Sequence, residues 1–296
     1  MSTELTLRRM RPEDLQAGLQ LTQAENWSHR LADWALHFRL GQGWVACDLR
    51  GEVLGTTLWW AYGERFGTVG LVVVNRAHQG KGIGRLLMNT VLQDAGARTL
   101  QLVATRAGLK LYRQCGFAEF NLIGQHQGLV RPQSAASVSA GTHLPPLPAA
   151  PLPAGTQLRP LSATDRQRIV ELDTAAIGAP RTALIAAVLD VGRGVVAERE
   201  GRVTGFALAR DFGRGTSIGP IVAADETLAT ALIAHHLRDA SGFARVDIPA
   251  DAVQLASWLE AAGLACVDRV TVMVRGEPPE PTGDARVFGL VSQALG

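Results

Sequence analysis

A charge-free, proline-rich segment divides this chain of 296 residues, and the sequences on either side of it rhyme. Residues 132–156 read PQSAASVSAGTHLPPLPAAPLPAGT, with no Asp, Glu, Lys or Arg and no Phe, Trp or Tyr. Such a stretch has nothing to build a core from and is expected to be an extended, partly stiff linker. Ahead of it, Leu7-Arg8-Arg9-Met10-Arg11-Pro12-Glu13-Asp14 is echoed behind it by Leu158-Arg159-Pro160-Leu161-Ser162-Ala163-Thr164-Asp165. Gly43-Trp44-Val45-Ala46 and Gly51-Glu52-Val53-Leu54-Gly55 return as Gly194-Val195-Val196-Ala197 and Gly201-Arg202-Val203-Thr204-Gly205, and Cys115-Gly116-Phe117 answers Ala262-Gly263-Leu264. Matched landmarks in one order argue for a duplicated fold, with domains at 1–131 and 157–296 joined by the linker at 132–156.

Composition narrows the class. Apolar residues make up 47% and charged residues 19%, too apolar for a disordered chain, and no apolar run approaches the 18 or so residues of a membrane span. Glu4, Arg8, Arg9 and Arg11 follow Met1 with no apolar stretch behind them, and Cys47, Cys115 and Cys266 are odd in number and far apart. Both features predict a cytoplasmic protein with reduced thiols, without membrane association or a metal site. The net charge of +2 divides unevenly: residues 1–131 carry 15 Lys+Arg against 10 Asp+Glu, residues 157–296 carry 14 against 17. An anionic ligand is therefore expected in the first half. A nucleic-acid partner would need a denser basic stripe with stacking aromatics, and Phe, Trp and Tyr are only 5% of the chain.

Each half reads as strand, helix, helix, three strands, helix, strand, helix, strand, an α/β fold with a mixed sheet. Leu5 to Arg8 predicts a strand, and Pro12-Glu13-Asp14 opens a helix with proline and acids where a first turn prefers them. Trp44 to Asp48 and Val53 to Tyr62 alternate as a hairpin around Arg50-Gly51. Thr68 to Val74 is a β-branched buried strand, followed by a helix over Ile83 to Asp94, a strand over Thr99 to Ala104 and a helix over Gly108 to Gln114.

The stretch Val72-Val73-Val74-Asn75-Arg76-Ala77-His78-Gln79-Gly80-Lys81-Gly82-Ile83-Gly84-Arg85 runs from strand to helix through three glycines. Such glycines let backbone N–H groups turn inward as an anion nest, and the helix N-terminus adds partial positive charge, which suits a pyrophosphate. A Rossmann fingerprint needs G-x-G-x-x-G and a P-loop needs G-x-x-x-x-G-K-[ST]; the spacing here is G-x-G-x-G, and a ligand-free turn is the bland alternative.

Gln79-Gly80-Lys81-Gly82-Ile83-Gly84 resembles the acetyl-CoA pyrophosphate loop of the GNAT superfamily of N-acetyltransferases, and Leu111-Tyr112-Arg113-Gln114-Cys115-Gly116-Phe117 resembles that family's L-Y-x-x-x-G-F element. The pair, in this order, is more specific than either half. Leu102-Val103-Ala104-Thr105, Asn26-Trp27-Ser28 with Asp33-Trp34, and Ile218-Gly219-Pro220-Ile221-Val222-Ala223 are similar to stretches of tandem GNAT proteins in which an active first domain precedes a degenerate second one. The resemblance implies two GNAT folds, a V-shaped sheet that splays at a bulge in its fourth strand, and an acetyl-CoA co-substrate. Val72, Val73 and Val74 would pair with the pantetheine arm, and Gln79, Gly80, Lys81, Gly82, Ile83, Gly84 and Arg85 would hold the pyrophosphate. Tyr112 would act as general acid toward the departing CoA thiolate, and a free amine would attack the thioester directly.

The acceptor is expected to be a small primary amine. Binding of an acyl-CoA or small ligand with little turnover, or acetylation of a protein lysine, are the rival readings, and monomer and homodimer are both open. Thr68 to Val74 offers no carboxylate as general base, which leaves Glu25, Asp33, Glu64 or a water relay. Trp27, Asp33 and Trp34 are the candidate acceptor residues, with Trp59 and Trp60 as further walls; these two are neighbours on a strand, so at most one faces the site. His78 is a loop histidine able to touch a phosphate, and His235 and His236 are expected on the surface.

In the second half, Gly263 aligns with Gly116, so Leu259 stands where Tyr112 does, and Ala223-Ala224-Asp225-Glu226 puts carboxylates where the first half has glycines. Acids at a helix start are good caps and poor phosphate receptors. Residues 157–296 are thus expected not to bind acetyl-CoA in the ordinary way, and to pack on the first domain, complete its acceptor pocket, or simply stabilise it.

Overall fold

The computed structural model describes residues 5–130, 147–238 and 240–296. In chain order these form β1 (Thr6–Arg9), α1 (Leu15–Ala24), α2 (Leu31–Leu40), β2 (Gln42–Cys47), β3 (Val53–Tyr62), β4 (Phe66–Val74), α3 (Ile83–Ala95), β5 (Thr99–Ala104), α4 (Leu109–Gln114) and β6 (Ala118–Val130). The same succession then repeats as β7 (Thr156–Pro160), α5 (Arg166–Ile177), α6 (Thr182–Val191), β8 (Gly192–Arg199), β9 (Arg202–Phe212), β10 (Gly215–Ala223), α7 (Glu226–Arg238), β11 (Gly242–Pro249), α8 (Val253–Ala261) and β12 (Ala265–Arg275), with one added strand, β13 (Arg286–Gly289).

The repeat in sequence and the compact units in space divide the chain differently. Unit 1 holds the described residues of Met1–Phe120 with Thr271–Pro278 and Gln293–Gly296; unit 2 holds those of Asn121–Val270 with Pro279–Ser292. In unit 1, β1 to β4 run antiparallel, β5 joins β4 in parallel, and Thr271–Arg275 of β12 lies antiparallel against β5. In unit 2, β7 to β10 run antiparallel, β11 joins β10 in parallel, and Ile123–Val130 of β6 lies antiparallel against β11. The outermost strand of each unit's sheet thus comes from the other sequence repeat, so the 131/132 boundary read from the sequence is not where the compact units part.

The opening rhyme has a physical cause. In unit 1 the Arg8 guanidinium donates to both carboxylate oxygens of Asp14 at 2.7 Å, and Asp14 also accepts the Arg11 amide at 2.7 Å. In unit 2 Arg159 donates to both oxygens of Asp165 at 2.7 and 2.9 Å, and Asp165 accepts the Ser162 amide at 2.8 Å. Each fork ties the first strand to the turn that starts the first helix, and the Arg159 guanidinium holds the Asp165 carboxyl well below the usual carboxylate range.

The unit 1 sheet is covered on both faces. On one, Met88 and Val91 of α3 pack with Trp59, Val69, Leu100, Leu102 and Met273. On the other, Trp34 of α2 is fully buried and its indole donates to the Thr22 hydroxyl at 3.1 Å. Unit 2 repeats the first arrangement, with Leu228, Leu232 and Ile233 of α7 against Ala207, Ile218 and Val246. The linker departs from expectation where it is described: Leu147 packs on that core and the Ala149 carbonyl accepts the Trp258 indole at 3.1 Å. Residues 132–146 lie outside the described residues. His236, expected on the surface, is 5% exposed; its Nε2 is 3.1 Å from the Ala207 carbonyl, and burial pushes its pKa down to about 4.

Candidate functional site

The site in unit 1 begins where β4 leaves β5. Their parallel pairing runs from Phe66 to Val69, and the register of β4 against β3 then slips, with Gly70 opposite Leu58 and Val73 opposite Thr56. Leu71, inside the slip, has φ +51°, and its carbonyl accepts the Thr56 hydroxyl at 2.8 Å, which pins the bulge. Past it β4 and β5 diverge, and a cleft of about 560 Å³ opens between them. Val72, Val73 and Val74 line one wall; Gly80, Gly82, Ile83, Gly84 and Arg85 line the end; Thr105, Ala107, Gly108, Lys110, Leu111, Tyr112 and Gln114 line the other wall; Glu25 and Trp27 close the rim with His78 and Gln79.

The loop geometry follows from two glycines. Gly80 and Gly82 have φ of +76° and +85°, a region costly to residues with a Cβ, and a Cβ at either would point into open space. Gly82 is the N-cap of α3 and supplies no side-chain cap, so the first-turn N–H groups of α3 stay turned toward the cleft, with no acid in that turn. The loop is anchored from behind: Gln79 donates to the Val74 carbonyl at 3.0 Å, and Arg76 pairs with Glu25 at 2.9 Å. Arg85 reaches across to Gln114 on α4. His78 Nδ1 is buried with no hydrogen-bond partner among the described residues. Of the sequence-predicted loop residues, Lys81 alone is not among the lining side chains.

Tyr112 sits on the wall formed by α4, 8% exposed, edge-on to Phe117 with ring centroids 6.3 Å apart. Burial pushes its hydroxyl pKa up, so it carries its proton throughout the neutral range. Gly108, which sequence reasoning did not single out, makes room for the ring: a Cβ there would lie 2.6 Å from a Tyr112 ring carbon.

The other predicted acceptor residues scatter. Trp27 lines the cleft, while Trp34 is buried between α1 and α2. Asp33 is the N3 residue of α2 and accepts the Arg30 amide at 2.8 Å and its guanidinium at 3.1 Å, which makes it a capping group. Trp59 and Trp60 face opposite ways as the strand period demands, and neither lines the cleft: Trp59 donates to Asp94 at 2.8 Å and Trp60 to the His37 carbonyl at 2.9 Å. Glu64 is in the β3–β4 turn, five strand residues or roughly 16 Å from the bulge.

Unit 2 builds the same frame and fills it. The bulge recurs in β10 between Ile218 and Ile221, and beyond it Ile221, Val222 and Ala223, the counterparts of Val72, Val73 and Val74, pair antiparallel with Gly289, Val287 and Arg286 of β13. At the start of α7 the Leu228 amide is taken by Asp225 at 2.8 Å, and Glu226 accepts the Leu255 amide of α8 at 2.7 Å. The Leu264 amide bonds the Leu259 carbonyl at 2.8 Å as the Phe117 amide bonds that of Tyr112 at 3.0 Å, so Leu259, fully buried, stands in the Tyr112 position. Among the described residues there is no cluster of three His, Cys, Asp or Glu able to hold a metal, and no helix is long and apolar enough to cross a membrane.

A bulged, splayed mixed sheet with a glycine-lined helix N-terminus at the split is the architecture of an acyl-CoA-dependent acyltransferase. Two family profiles, each described as an acetyltransferase (GNAT) domain, match residues 39–119 and 169–289. The chain belongs to the GNAT N-acetyltransferase family and carries two GNAT domains in tandem, and the family takes an acyl-CoA as donor. It is 25% identical over 252 residues to "Uncharacterized N-acetyltransferase YitH" of Bacillus subtilis, covering 84% of this chain and 83% of that one. Among solved structures it is similar to a candidate acetyltransferase from Pyrococcus horikoshii, with TM-score 0.74, 21% identity and coverage of 99% and 96%. It is also similar to a tandem GNAT protein from the clavulanic acid biosynthesis pathway, with TM-score 0.64, 16% identity and coverage of 95% and 100%. These two likenesses are of fold.

Proposed function

We propose that unit 1 is the catalytic copy, an acetyl-CoA-dependent N-acetyltransferase acting on a small primary amine, and that unit 2 has kept the fold without the chemistry. The carrying observation is the contrast at the split strand: in unit 1 the backbone of Val72 to Val74 faces a cleft, whereas in unit 2 the matching residues are paired with β13. The backbone of Val72 to Val74 then pairs with the amides of the pantetheine arm, and the bulge positions a backbone group against the thioester carbonyl. Gly80 to Arg85 and the start of α3 receive the pyrophosphate, with Lys110 on the facing wall adding positive charge. The partnerless Nδ1 of His78 supports a contact to the bound donor.

Transfer is direct. The amine nitrogen bonds to the thioester carbon, the C–S bond breaks, and the thiolate takes the hydroxyl proton of Tyr112, which its buried setting keeps in place until then. The proton lost by the amine leaves through water toward Glu25, the carboxylate among the cleft-lining residues. The expected result for Tyr112→Phe is a loss in kcat of about 10²-fold or more with the acetyl-CoA Kd unchanged. Thiol release against a panel of polyamines, amino acids and aminosugars measures it; unchanged kcat with the accepted amine removes Tyr112 from the reaction.

A further inference from the structure

Unit 2 carries a cluster of arginines that its fold does not call for. The β8–β9 hairpin turns through Glu200 and Gly201, with φ +52° and +73°, so that Arg199 and Arg202 stand directly opposite each other in the last register pair. Opposed residues of an antiparallel pair have Cβ atoms about 5 Å apart on one face of the sheet, and like charges placed so repel. Both arginines are exposed, and neither guanidinium has a hydrogen bond or ion pair among the described residues. A third guanidinium joins them from α5: Arg168 Nε donates to the Val203 carbonyl at 3.1 Å, beside Arg202, and its Nη1 pairs with Glu171 at 3.3 Å. With Glu200 and Thr204, these arginines line an open concavity of about 470 Å³. Three arginines against one glutamate give its lining a charge of +2, in a half of the chain where acids outnumber bases.

The duplication shows that the frame does not need this cluster. Counted from Asp14 and Asp165, Ala17 stands where Arg168 does; counted from Gly51 and Gly201, Leu49 answers Arg199 and Glu52 answers Arg202. The first copy closes the same hairpin with Asp48, whose carboxylate accepts the Arg50 and Glu52 amides at 2.9 Å each. In unit 2 the turn carries an unneutralised like-charge pair instead. An anion with several acceptor oxygens relieves such a pair, because each guanidinium is a planar fork of donors that meets phosphate oxygens two at a time. The lining has no ring on which a base could stack, so the phosphate is the part that would be recognised.

We propose that Arg168, Arg199 and Arg202 form an anion site in unit 2 for the terminal diphosphate of a small molecule, either inorganic pyrophosphate or a nucleoside diphosphate. The diphosphate of CoA is esterified at both ends; it carries less charge and two bulky flanks that five lining residues have no surface to receive. The site shares no residue with the unit 1 cleft, and its occupation needs no turnover.

The test is protection of the whole chain from phenylglyoxal, an arginine reagent, read peptide by peptide by mass spectrometry. Millimolar inorganic pyrophosphate at fixed ionic strength should slow modification of Arg199 and Arg202 at least fivefold. Arg50, exposed in the matching hairpin of the first copy, should stay within twofold of its own rate. ADP should protect to within threefold of pyrophosphate, whereas sulfate and CoA should not protect. The double variant Arg199→Leu, Arg202→Glu restores the first copy's residues; Arg168, protected in the parent, should lose its protection there, with the urea midpoint unchanged or raised as the like-charge pair is removed. Equal protection of Arg50, protection by sulfate or CoA, no protection of Arg199 and Arg202, or protection of Arg168 that survives in the double variant overturns the proposal. The parent's own pattern decides the matter whether or not the variant folds.

Discussion

Gly108 and Tyr112 are one helical turn apart, and the first exists for the ring of the second. Gly108 has φ −80° and ψ −21°, which any residue adopts, so Gly108→Ala strains only the tyrosine. The expected outcome is a fall in kcat with the acetyl-CoA Kd held, measured by steady-state kinetics and calorimetry, because the ring must move by several tenths of an ångström while α3 stays put. A buried histidine gives a second prediction. His236 titrates at about 4 when folded against about 6.5 when unfolded, so the unfolded chain takes the proton first on acidification. The stability this neutral imidazole confers is complete above pH 6.5 and lost as pH falls toward 4, on the order of 3 kcal/mol. Urea midpoints across that range should show the slope in the parent and lose it in His236→Phe. The place of Tyr112 on the cleft wall was legible in the sequence because its motif is local. Gly108 was not, since a close approach depends on how a ring four residues away is packed. Asp33 and Trp34 read as acceptor residues because an Arg N-cap hides the capping box and because sequence does not say which face of α2 meets the site.

The start of α3 and the start of α7 are the same element in two chemical states. Gly82→Ala forces a Cβ into a left-handed backbone that L residues avoid, at a cost of about 1 kcal/mol, and blocks the cleft end where α3 presents its amides. Acetyl-CoA affinity should fall at least tenfold by calorimetry, with the urea midpoint only slightly lowered. Asp225→Ala should do the reverse. It removes the side chain that satisfies the Leu228 amide, costing about 0.5–2 kcal/mol of stability, and leaves acetyl-CoA affinity unchanged. Element order, the hairpin at Arg50-Gly51 and the α3 loop were all legible, because alternation, β-branching and glycine spacing are local signals. The partners of β6 and β12 were not: the pattern of an outer strand says that it is a strand and nothing about which sheet edge it joins.

At the scale of the molecule, duplication has given two copies of one frame, one with its split strand open to a ligand and one with that strand paired to the protein's own backbone. β13 was invisible to the repeat because it has no echo in the first half, yet it pairs with Ile221, Val222 and Ala223, the counterparts of the strand residues that line the cleft in unit 1. The uneven charge of the halves follows the same division, with Asp225 ahead of α7 where the first copy has Gly82 ahead of α3, and Glu226 as the first residue of α7 where α3 begins with Ile83. The most direct test is the stoichiometry of acetyl-CoA binding, titrated calorimetrically into the parent chain and into Gly82→Asp. One equivalent per chain in the parent and none in Gly82→Asp is the predicted result. Two equivalents in the parent, or one that survives in Gly82→Asp, would contradict a single donor site in unit 1.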